Sequence, residues 1–108
     1  MKSINMNAKS IINAKSSSVQ LKAAPPRFQA VGFAIATDTD KETGEVREVG
    51  YIVAEDGTVY GTISATAINT IDNIIDAIDD NSFGTPVEIG VALRKSNAGR
   101  EFITVSVF

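Results

Sequence analysis

The chain has no cysteine, no histidine and no tryptophan. Without cysteine there is no disulfide framework and no thiolate to act as nucleophile or metal ligand. Without histidine the commonest acid–base residue and metal ligand is gone as well. We therefore expect a protein that is not an enzyme and needs no cofactor. No apolar run approaches the roughly 18 residues of a membrane span, and Met1 to Leu21 lacks the continuous apolar centre of a secretory signal. The expectation is a cytoplasmic protein without membrane contact, and 108 residues suffice for one modest core but not two.

Charge is present but unevenly spread. Residues 1–27 carry five bases (Lys2, Lys9, Lys15, Lys22 and Arg27) and no acid, whereas residues 28–108 carry five bases against 13 acids. A basic lead on an acidic body is either an interaction tail or a solvated terminus. The stretch Met1 to Ala24 is rich in Ser, Asn, Lys and Ala, with scattered Ile4, Ile11, Ile12, Val19 and Leu21. We read residues 1–26 as a flexible basic arm, with Val19 to Lys22 as a possible edge strand. The domain then covers 27–108, beginning after Pro25-Pro26, which disfavours helix before it.

From Arg27 to Thr37 the pattern has period two, with Val31, Phe33 and Ile35 on one face and Phe28, Ala30, Gly32, Ala34 and Ala36 on the other. Gly32 inside a strand signals a bulge or sharp coil. The connector Asp38 to Glu45 is followed by a second strand over 46–54, an Asp-Gly turn at Asp56-Gly57, and a third strand from Thr58 to Ile63. The period then changes. Ile68, Ile71, Ile74, Ile75 and Ile78 recur at steps of three and four, the stripe of an amphipathic helix, with Ser64 or Thr66 as its cap. After Gly84 and Pro86, Val87 to Arg94 and Arg100 to Phe108 alternate again and read as a closing hairpin, whose loop holds Asn97 and Gly99 among Arg94, Lys95 and Arg100.

The order β-β-β-α-β-β with an internal glycine in the first strand resembles the OB-fold, a five-stranded barrel plugged by a helix between strands three and four. We expect an all-β fold with one helix over residues 28–108, the alternative being an open α+β roll. With the stretch Arg94-Lys95-Ser96-Asn97-Ala98-Gly99-Arg100-Glu101-Phe102 in its closing hairpin, the chain resembles small phage- or plasmid-type single-stranded DNA-binding proteins. That resemblance implies non-sequence-specific coating of single-stranded DNA in replication or recombination, inside the host cytoplasm if the protein is viral. It also implies a dimer or higher homo-oligomer and a replication or recombination protein as a further partner. The rival reading is a small viral accessory or inhibitor module that binds a protein.

In an OB barrel, oligonucleotides lie across strands two and three and between the loops that join strands one to two and four to five. The candidates for nucleic-acid contact are therefore Tyr51, Tyr60, Arg94, Lys95, Arg100 and Phe102, joined by Lys22 and Arg27 at the arm's end. Tyr60 is the better stacking candidate, because its parity opposes Val59 and Ile63. Tyr51 points out or into the core according to which face of its strand is buried. By parity Phe28 and Phe102 face outward, toward either a base or another subunit. Asp38, Asp40, Glu42 and Glu45 resemble an incomplete calcium loop, but the glycine stands in the seventh position rather than the sixth, so we read them as a solvated acidic turn and expect no metal.

Overall fold

Gly32 lies in the longest strand, the thirteen residues Arg27–Thr39, and the chain's behaviour there sets the architecture. The computed structural model describes residues 2–108. In chain order they form β1 (Lys2–Ile4), α1 (Ala8–Ser17), β2 (Val19–Gln20), a 3-10 turn (Leu21–Ala23), β3 (Arg27–Thr39), β4 (Val46–Ala54), β5 (Val59–Thr62), α2 (Ala65–Asp79), β6 (Val87–Lys95) and β7 (Glu101–Val107). The strands pair in the order β2-β5-β4-β3-β6-β7, with β1 added to β3, and only β2 with β5 is parallel. The result is a curled mixed sheet, a half-barrel that is roughly OB-like. It has seven strands and two helices where the sequence suggested five and one.

The register of β3 against β4 shifts between Ala30 and Gly32, leaving Val31 as the extra residue of a bulge. The bulge reverses parity, so Phe28 and Ala30 before it face the same core as Phe33 and Ile35 after it. Phe28 therefore turns inward, against the uninterrupted alternation expected from sequence. The bulge also lets one strand serve two neighbours on one edge: β3 pairs β6 through Arg27–Ala30 and β1 through Phe33–Ile35. A Cβ at Gly32 would lie 3.1 Å from the Asn5 carbonyl oxygen, so a residue without one fits where β1 ends.

The concave face of the sheet is filled by α2. Ser64 caps this helix, its Oγ accepting from the Ala67 N–H at 3.4 Å, and Ile68, Ile71, Ile74 and Ile75 are buried. Gly50 admits the helix closely, since a Cβ there would stand 2.8 Å from Ile71 Cδ1.

The opposite face is covered too, and here the expected flexible arm is corrected. Residues 2–24 fold back on the sheet, where Met6, Ile11 and Ala14 bury themselves against Ala34, Ala36 and Tyr51. The physical reason lies in the receiving surface. Alanines on β3 let a helix approach closely, so a few apolar residues suffice to dock it, each large one contributing about 1.5–3 kcal/mol when fully buried. Asn7 caps α1 by accepting from the Ser10 N–H at 2.9 Å. Lys2 donates to Asp72 Oδ1 and Asp76 Oδ1 of α2, both at 2.6 Å, and these bonds push its ammonium pKa up to about 12. Among the described residues, no helix is long and apolar enough to cross a membrane.

Candidate nucleic-acid interface

Two hairpins outrun the body of the sheet. β4 pairs β5 only as far as Gly50, so residues 46–49 and their β3 partners project beyond it; β6 pairs β3 only through Val87–Gly90, so the tip from Val91 onward projects as well. Side chains at both tips are exposed over residues 41–48 and 92–101. The hairpins flank a groove of about 1000 Å³, whose third wall is formed by the end of α1 and the turn after it.

The β3–β4 tip is built by Asp40. Its Oδ1 accepts from the Glu42 N–H at 2.8 Å and the Thr43 N–H at 3.4 Å, and its Oδ2 receives Arg47 at 2.9 Å. These backbone donors, helped by the Arg47 charge, hold the Asp40 carboxyl below the usual carboxylate range. The acidic stretch that resembled part of a calcium loop thus spends its central carboxylate on its own turn. The β6–β7 tip closes through Ser96 N–H to the Arg100 carbonyl at 2.8 Å, with Gly99 at φ 81°, a conformation glycine adopts without steric cost.

The structure sorts the predicted contact residues into three groups. Lys22 and Phe102 line the groove, while Arg94, Lys95 and Arg100 stand exposed on the hairpin that bounds it. Arg94 and Phe102 are cross-strand partners and share a face. Tyr51 reaches the groove floor but is only 2% exposed, its ring packed under α1; burial first, and the nearby Asp38 charge second, push its hydroxyl pKa up. Tyr60 is corrected outright as an outward platform. It lies in the core, with its ring centroid 5.2 Å from that of Phe28, because the concave face packs α2 and the Val59 face does not. Arg27 starts β3 at the end remote from the groove, where it pairs with Glu88 at 2.7 Å and stacks on Phe108 with its guanidinium carbon 3.9 Å from the ring centroid.

Several groove residues escaped the sequence reading. Leu93 and Ile63 are 54% and 63% exposed and, with Ile103 and Phe102, give the groove an apolar lining. Leu93 has the parity of the core residues Val87 and Ile89, yet it stands beyond the end of the core. Lys15, Lys41 and Arg47 also line the groove, Lys15 donating to the Thr37 carbonyl at 3.0 Å. Among the described residues Lys22, Lys41, Arg94, Lys95 and Arg100 form no ion pair, so their charge is available to an anion. An apolar lining bordered by unpaired cations suits a ligand with flat apolar faces and a polyanionic backbone.

No curated protein and no solved structure matches the chain. A family model described as phage single-stranded DNA-binding protein matches residues 6–108, including the N-terminal helix and both hairpins. The chain belongs to the phi29 phage single-stranded DNA-binding protein family.

Proposed function

We propose that the protein binds single-stranded DNA in the groove between its two hairpins, without reading a defined sequence, and shields it during replication or recombination. The observation that carries this reading is the groove itself, where Phe102, Leu93 and Ile63 offer apolar surface to bases beside the unpaired cations Lys22, Arg94, Lys95 and Arg100. Stacking on an aromatic ring contributes about 1–3 kcal/mol per base and tolerates any base. Cations along the border follow the phosphates, so binding weakens with salt.

In this reading the work is binding rather than catalysis, and it is done in the host cytoplasm. The protein acts as a homo-oligomer along the strand, alongside a replication or recombination protein. The exposed Val107 and Phe108, at 41% and 64%, support contact between copies. The test is titration of a fluorescein-labelled mixed-sequence oligonucleotide at two salt concentrations. Binding should be salt-sensitive, with a log–log slope of roughly −2 to −4 if three to five phosphates are neutralised at about −0.7 each. Absence of binding at micromolar protein in low salt would overturn the proposal.

A further inference from the structure

The two hairpins that flank the groove carry opposite charge. Between residues 38 and 48 the β3–β4 hairpin has Asp38, Asp40, Glu42, Glu45 and Glu48 against Lys41 and Arg47; the β6–β7 tip has Arg94, Lys95 and Arg100 against Glu101. In the proposed track the phosphates follow Arg94, Lys95 and Arg100, and bases stacked on Phe102 of the same hairpin turn their edges across the groove toward the acidic one.

Of the two carboxylates of that hairpin that line the groove, Asp38 and Asp40, one is free to meet them. Asp40 is occupied by its own turn and by Arg47. Asp38 lies directly across from Arg47 in the ladder, but Arg47 reaches to Asp40, and among the described residues the Asp38 side chain forms neither a hydrogen bond nor an ion pair. It is exposed, it lines the groove, and its charge is felt by Tyr51 at the groove floor.

We propose that Asp38 reads the edges of the bound bases and biases the protein toward those that carry an exocyclic amino group. An ionised carboxylate only accepts hydrogen bonds. Cytosine offers its N4 amino group, adenine its N6, and guanine N1–H together with N2. Thymine's single edge donor, N3–H, lies between two carbonyl oxygens that repel the carboxylate. The preference acts on base composition, not on a defined sequence, so the proposal rests on the reading of the groove as the DNA track and refines it.

The experiment compares oligo(dC) with oligo(dT) of equal length, at the same salt and at pH 8, where cytosine is neutral. Oligo(dC) should bind roughly 10- to 150-fold tighter, the discrimination expected of one hydrogen bond to a charged group. In D38N and D38A the ratio should fall toward one, because oligo(dC) loses the charged acceptor and oligo(dT) is relieved of its repulsion. Circular dichroism confirms that both variants fold. A native ratio of one or below, or a ratio that D38N and D38A leave unchanged while both oligonucleotides bind more tightly, overturns the role of Asp38 and leaves the DNA track standing. Failure of the native protein to bind either oligonucleotide overturns the track itself.

Discussion

Arg94 stands directly opposite Phe102 in the β6–β7 ladder, so a guanidinium and an aromatic ring leave the same face of the hairpin at the border of the groove. The pair joins the two contacts that single-stranded DNA uses, a charge for the phosphate and a flat surface for the base. Their separate contributions can be measured.

Replacing Arg94, Lys95 and Arg100 together with alanine should weaken binding to all sequences alike and flatten the log–log salt dependence by about 2, three phosphate contacts at about 0.7 each. Fluorescence anisotropy over a salt series measures both. An unchanged slope would place the phosphates elsewhere on the protein.

Phe102→Ala should cost about 1–3 kcal/mol of binding, or roughly 5- to 150-fold in Kd, and Phe102→Trp should restore it. The ring is half-buried on a projecting hairpin, so the melting temperature should move little. If affinity is retained in Phe102→Ala, no base stacks there.

The N-terminal segment can be tested by two adjacent isoleucines. Ile11 is 2% exposed and Ile12 is 65% exposed. Ile11→Ala should lower unfolding free energy by about 2–5 kcal/mol in urea titration. Ile12→Ala should stay within about 0.5 kcal/mol. Equal effects would mean that α1 does not pack on the sheet.

Gly50→Ala should destabilise by about 1–3 kcal/mol, because its Cβ would enter the contact with Ile71 Cδ1. Gly50 lies on the concave face beneath α2, so the folded variant should bind DNA as the native protein does. Thermal unfolding and oligonucleotide titration, run on the same sample, check both halves.

Two ion-paired groups set opposite pH limits. The Asp40 carboxyl is held below its usual range, so the order it gives the β3–β4 tip is present above about pH 4, the ordinary value, and is lost as pH falls through its lowered one. Lys2 is raised to about 12, so its tie to Asp72 and Asp76 is fully present below about pH 10 and is lost as pH rises through 12. The Glu42 and Thr43 amide resonances should shift on acidification, and D40N should remove that transition.

What was local in this chain was legible in its sequence. The isoleucine stripe gave α2, the alternating runs gave the strands, and Gly32 marked the bulge, since each signal lies within one element. Orientation across elements was not legible. The outward assignment of Tyr60 and Phe28 required knowing which sheet face packs the large helix and that one extra residue at Val31 reverses parity. The N-terminal helix was missed because Ile11 and Ala14 are too few to suggest a core of their own; they suffice only because Ala34 and Ala36 make a level seat for them. In the site, the basic hairpin was visible as a cluster in sequence. Leu93 and Ile63 were not, because their exposure depends on where the partner strands stop.

The two helices cover opposite faces of the same stretch of sheet, and the middle of β3, from Gly32 to Ala36, is buried on both sides. That stretch is covered on both faces, whereas both hairpin tips are exposed, so local opening is expected to begin at the tips. In mechanical terms the hairpins are two levers hinged on one fixed beam. If the groove is the DNA track, as proposed, a strand entering it meets the parts of the sheet whose displacement leaves the core untouched.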